Sequence, residues 1–130
     1  MDEATFKLRT KALGLGVIRR CNALPSTASN DVIRKQLLRS ATSVGANYRA
    51  ACRAKSTADI IAKLAIVEEE ADETCYWLDL LSESESLTPE SSRNRLREAD
   101  EIVAMTVASI RTLRSRTAIQ NPKSKIQNSW

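Results

Sequence analysis

Apolar residues recur at helical spacing in four stretches of the chain, and the most informative pattern lies over residues 33–52. There Ile33, Leu37, Ala41, Val44, Tyr48 and Cys52 repeat at steps of four and three, which sets them on one face of a helix. Gln36, Ser40, Ser43 and Asn47 follow the same rhythm one residue earlier, so a polar stripe borders the apolar one. At about 100° per residue, Lys35, Arg39, Arg49 and Arg53 gather nearly opposite the apolar face. This helix has a face to bury, a flank to pair and a cationic back.

The other stretches fit the same scheme. A first helix is predicted from about Glu3 to Ala23, with Phe6, Leu13, Val17 and Leu24 in register. Leu8, Leu15 and Ile18 lie away from that face, so this helix is apolar on two sides, as for a helix wedged between neighbours, or between its own bundle and another subunit. Leu24-Pro25 ends it, because proline disfavours helix in the residue before it. Ser29 or Asn30 is expected to cap the second helix, which continues to about Ala54. Gly45 interrupts it at a cost of up to about 1 kcal/mol relative to alanine; close approach of another helix is the expected compensation.

Ser56-Thr57-Ala58-Asp59 opens a third helix. Its heptad runs Ile60, Leu64, Val67, Ala71, Thr74, Leu78, Leu81, and a second stripe runs Ile66, Glu70, Glu73, Trp77. Tyr76 and Leu80 point away from both. Ser82 to Leu87 reads as a polar turn, and Thr88-Pro89-Glu90 starts a fourth helix carrying Leu96, Ala99, Val103, Thr106, Ile110 and Leu113. From Ala118 the period is lost and Pro, Ser, Asn and Lys accumulate, which predicts a disordered basic tail. The fold class is therefore all-α: an antiparallel up-down-up-down four-helix bundle over residues 1–117, with a tail over 118–130.

Charge is unevenly spread. Residues 1–56 hold 11 Lys/Arg against 3 Asp/Glu, residues 57–101 hold 4 against 13, and residues 102–130 hold 5 against none. Alternating blocks suggest basic and acidic helices side by side. Lys7, Lys11, Arg19 and Arg20 on the first helix join Lys35, Arg39, Arg49 and Arg53 as candidates for contact with a phosphate backbone. These cations also have a competing use, in pairing with the acidic third helix of a neighbouring subunit.

Gln36, Ser40, Ser43 and Asn47 are expected to meet Glu70 and Glu73 in a hydrogen-bonded seam that sets helix register. The three cysteines, Cys21, Cys52 and Cys75, read as small apolar residues in a reducing cytoplasm. With no histidine, neither a di-metal carboxylate bundle nor a serine or cysteine nucleophile with its base is expected. Neither a catalytic residue nor a cofactor site is predicted, and the expectation is a non-enzyme. The polar opening Met1-Asp2-Glu3 predicts no secretory signal, and no apolar run suits a membrane span.

Leu24-Pro25, Gln36-Leu37-Leu38-Arg39-Ser40, Ser43 through Tyr48, and Glu70-Ala71 through Tyr76-Trp77-Leu78 together resemble the four-helix-bundle family of 23S rRNA intervening-sequence proteins, from about Phe6 to Leu113. Ala50 departs from the pattern, in which a glutamate is common there. The family is similar in fold to the accessory variability determinant of diversity-generating retroelements, a homopentamer that works with a reverse transcriptase and RNA. The resemblance implies a homo-oligomer, pentameric by analogy; Leu8, Leu15, Ile18, Tyr76 and Leu80, which the periods leave outside the bundle interior, are the candidates for its interfaces. It also implies association with nucleic acid, RNA first, and a reverse transcriptase as a partner. The alternative is an assembly module with no nucleic-acid role.

Overall fold

A computed structural model describes residues 2–84 and 86–120, with side chains through residue 117. Four helices make up the chain: α1 (Glu3–Ala23), α2 (Ala28–Cys52), α3 (Thr57–Glu83) and α4 (Pro89–Gln120). Short joins turn each helix back on the one before, and α1–α2, α2–α3 and α3–α4 pack along their lengths. The fourth side is different, because α1 and α4 meet over only a short stretch. The fold is the all-α antiparallel four-helix bundle that the apolar periods predict. The first three residues of the expected tail, 118–120, belong to α4, and the rest of that tail lies outside the described residues.

Capping chemistry sets the helix starts. Asp2 accepts from the Thr5 amide at 2.7 Å, and Ser56 accepts from the Asp59 amide at 3.1 Å. The second helix starts earlier than expected. Thr27, not Ser29 or Asn30, is its N-cap, with Oγ1 accepting from the Asn30 amide at 3.1 Å. Asn30 is instead buried and ties two loops together. Its Nδ2 donates to the Pro25 carbonyl at 3.1 Å, and its Oδ1 accepts from Ser86 Oγ at 3.0 Å.

Arg34 closes the first turn from the other side. Its guanidinium donates to the carbonyls of Cys21 at 2.9 Å, Leu24 at 2.7 Å and Pro25 at 3.3 Å, and also holds Asp31 at 2.6 Å. A side chain of α2 thus satisfies the Cys21 and Leu24 carbonyls at the C-terminus of α1.

Phe6, Leu13, Val17, Leu37, Val44, Val67, Leu78, Leu81 and Ile102 form one core, aliphatic apart from Phe6. Ile102, rather than Val103, is the fully buried member of that turn of α4. Phe6 stacks on Tyr48 with ring centroids 4.5 Å apart, and burial pushes the Tyr48 phenol above its ordinary value. The helices α1 and α2 approach closely. A Cβ built on Gly45 would touch the Thr10 backbone at 3.6 Å, and one on Gly14 would touch the Ala41 carbonyl at 3.7 Å.

Candidate nucleic-acid interface

The antiparallel register of α1 and α2 brings Phe6 to Tyr48, Thr10 to Gly45 and Gly14 to Ala41. Continuing that register sets Arg19 and Arg20 level with Lys35, near the Pro25 turn. At the other end, Lys7 and Lys11 lie level with the stretch from Val44 to Arg49. The cations of the two helices therefore fall into two groups with a gap between them.

All of these side chains are exposed. Lys7 holds Glu3 one turn away at 3.2 Å. Among the described residues, Lys11, Arg19, Arg20, Lys35, Arg49 and Arg53 have no carboxylate within 4 Å. Arg20 and Arg49 also sit in the last turns of α1 and α2, where a cation complements the negative end of the helix.

Arg39 does not belong with this set. Its guanidinium forks across to α3, donating to Glu70 Oε2 at 2.9 Å and to Glu73 Oε1. The sequence placed it on the cationic back, yet the side chain is long enough to reach round the helix to the polar flank. Its charge is already answered within the subunit. This pairing also holds the Glu73 carboxyl below the usual carboxylate range, helped by the Trp77 indole, which donates at 3.1 Å.

Below Arg39 the contacts run inward. Ser43 donates to Glu70 Oε2 at 2.7 Å, and Thr74 donates to Ser40 Oγ at 3.1 Å, with Ser40 and Thr74 both fully buried. The small hydroxyls of α2 thus face the second stripe of α3. Asn47 turns back on its own helix, donating to the Ser43 carbonyl at 2.9 Å, and Gln36 makes no hydrogen bond among the described side chains. A second fork escaped the sequence reading. Arg9 of α1 holds Glu98 at 3.2 Å and Glu101, both on α4. The i, i+3 spacing of those two glutamates was the available signal, the same spacing as Glu70 and Glu73.

Apolar residues outside the core lie where the second faces predict. Leu8, Leu15 and Ile18 are exposed on α1, Tyr76 is exposed on α3, and Leu80 is partly covered. Between α1 and α2, Leu8, Leu15 and Ile18 border an open groove of about 470 Å³, floored by Gly14, Ala41, Thr42, Gly45 and Ala46, with Lys7, Lys11 and Arg49 at its rim. All three cysteines are free. Burial raises the Cys21 and Cys52 thiols, and burial with the nearby Asp100 pushes Cys75 up to about 12. The cations near Cys52 do not activate it. Among the described residues no helix is long and apolar enough to cross a membrane, and no three acids or cysteines converge as metal ligands.

Residues 7–108 match the family described as 23S rRNA-intervening sequence protein. The chain belongs to that family. The bundle of this family member is also similar to a crystal structure from Bacteroides thetaiotaomicron, described as a protein of unknown function from the S23 ribosomal protein family. The two chains are 35% identical, the match covers 85% of this chain and 99% of that one, and the TM-score is 0.79. No curated protein matches this family member.

Proposed function

We infer that this chain is a cytoplasmic, non-enzymatic homo-oligomer, pentameric by analogy, that binds nucleic acid, RNA first, through α1 and α2. The observation that carries the reading is the set of exposed cations whose charge nothing nearby answers. Lys11, Arg19, Arg20, Lys35, Arg49 and Arg53 are free of carboxylates among the described residues, whereas Arg9, Arg34 and Arg39 are consumed by the fold. Phosphate backbones are bound by such arrays with little regard to sequence. Tyr76 is the one exposed aromatic ring among the described side chains, so contact runs through phosphates rather than through stacked bases.

The test is binding of a structured RNA followed by fluorescence anisotropy across a salt series. Affinity should fall steeply with salt. Replacing Arg19, Arg20 and Lys35 together by alanine should make the log–log slope shallower by about three, one per phosphate contact. Absence of binding at low ionic strength overturns the reading. A reverse transcriptase as protein partner is the finer part of the proposal, tested by co-purification of the two. A second reading, assembly without nucleic acid, is favoured by the exposed acids of α3, Glu69, Asp72 and Asp79, which can answer those cations between subunits.

A further inference from the structure

Two exposed stripes, on opposite sides of the bundle, have the same length and opposite charge. On α1 the stripe runs Leu8, Lys11, Leu15, Ile18, exposed at 69% for Leu8, 42% for Leu15 and 36% for Ile18. On α3 it runs Ile66, Glu69, Asp72, Tyr76, exposed at 36% for Ile66 and 57% for Tyr76. Leu8 to Ile18 and Ile66 to Tyr76 each span ten residues, about 15 Å of helix. Between the apolar ends lies a lysine in the first stripe and two carboxylates in the second. In either direction of pairing, Lys11 falls within about a turn of Glu69 or Asp72.

The groove beside the α1 stripe has a floor of small residues and a cationic rim of Lys7, Lys11 and Arg49. It suits a protruding ring flanked by acids. Tyr76, between Asp72 and Asp79 on the exposed face of α3, has that form.

We propose that the α1–α2 groove of one subunit receives the outer stripe of α3, with Tyr76 at its centre, from a second copy of this chain. This rests on the reading that the chain assembles with itself and names the two surfaces that meet. The contact is head-to-tail, since the donor and acceptor faces are different, and repetition of such a contact closes a ring when the rotation allows it. It also divides the cations by use. Lys7, Lys11 and Arg49 face the neighbouring subunit, while Arg19, Arg20 and Lys35, at the far end of the same helices, stay open to nucleic acid.

The experiment is a charge exchange read by light-scattering mass in the absence of nucleic acid, with circular dichroism reporting the fold of each variant. The unaltered chain should have the mass of several chains. Lys11→Glu with Arg49→Glu should lower the mass to one chain at unchanged helicity, and so should Glu69→Lys with Asp72→Lys. Combining the four substitutions in one chain should restore the assembly, because its acidic groove then meets the basic stripe of the next copy, whatever the number of subunits. Tyr76→Ala, which alters no charge, should weaken assembly by at least tenfold in protein concentration. An unaltered chain that is a monomer overturns both this proposal and the self-assembly reading. An assembly that survives both charge variants, or one that the fourfold variant does not restore, overturns the pairing alone and leaves self-assembly standing. The RNA titration with the Arg19, Arg20 and Lys35 variant is independent of all these outcomes.

Discussion

Two arginine forks hold this bundle, and they differ in what lies beneath them. Arg39 joins α2 to Glu70 and Glu73 of α3, and Arg9 joins α1 to Glu98 and Glu101 of α4. The carboxylates have the same i, i+3 spacing in both. Under Arg39 the polar contacts continue inward through Ser43, Ser40, Thr74 and Trp77 to a fully buried hydroxyl pair. Beneath Arg9 the next contact is the Met105 sulfur at 3.5 Å, and α1 and α4 touch only briefly. An ion pair at a bundle surface is worth little by itself; one that roofs a satisfied polar seam also fixes which rotation of the two helices is allowed. The α2–α3 side therefore sets the register, and the α1–α4 side closes the bundle.

The largest effect available lies in the core under both forks. Leu37 is fully buried in the core face of α2, and Leu37→Ala should cost about 2–5 kcal/mol in a urea unfolding measurement. Met105→Ala, beside the second fork and only partly buried, should cost under about 2 kcal/mol, because less area leaves water there on folding. Equal losses would break the comparison.

Next come the forks themselves. Arg39→Ala removes two charge-assisted hydrogen bonds and leaves Glu70, with its side chain 17% exposed, short of its partner. The expected loss is about 1–2 kcal/mol, discounted because the arginine is half exposed. Arg9→Ala should cost less than about 1 kcal/mol, since Glu98 and Glu101 remain more open to water. Thermal unfolding of the two variants side by side checks the order.

A smaller effect should appear with pH. The Glu73 carboxyl is held below its ordinary value by Arg39 and the Trp77 indole. A carboxyl lowered in this way contributes stability that is fully present above the unfolded value and lost as pH falls through the folded one. The gap in Tm between the unaltered chain and Arg39→Ala should accordingly be constant near neutral pH and close in acid, below the usual carboxylate range. A gap that widens in acid would remove Glu73 from the account of the first fork.

The two sides also differed in how readable they were. Gln36, Ser40, Ser43 and Asn47 shared a helical rhythm with each other, and Glu70 and Glu73 shared one with Ile66 and Trp77, so periodicity alone proposed that these faces meet. Periodicity says which face a residue stands on, but not where a long side chain ends. Periodicity puts Arg39 on the cationic back and Arg9 in none of the patterns, but four rotatable side-chain bonds carry the charge round the helix to a partner on another element. The Arg34 cap was hidden for the same reason. Steps of three and four lead from Ala99 to Thr106 through either Ile102 or Val103, so periodicity does not choose between them, and the bundle buries Ile102. The exposed stripes of α1 and α3 were legible as residues left over from the core, though their equal length became apparent only once both were known to face outward.

The smallest predicted effect is the sharpest test of the loose side. Gly16 of α1 is buried, and a Cβ added there would overlap the guanidinium of Arg95 from α4. On the tight side such a collision would cost several kcal/mol. Here the obstacle is the far end of a flexible side chain, and the Arg95 Nε is buried with no hydrogen-bond partner. Swinging the guanidinium out to water would restore that lost hydrogen bond, and alanine would add up to about 1 kcal/mol of helix propensity over glycine. Displacing Arg95 from its packed position against α1 offsets these gains, so Gly16→Ala should change stability by less than about 0.5 kcal/mol in urea unfolding, with the fork at Arg9 intact. A loss above about 2 kcal/mol would mean that α1 and α4 are locked as firmly as α2 and α3, and the distinction between a register-setting side and a closing side would fail.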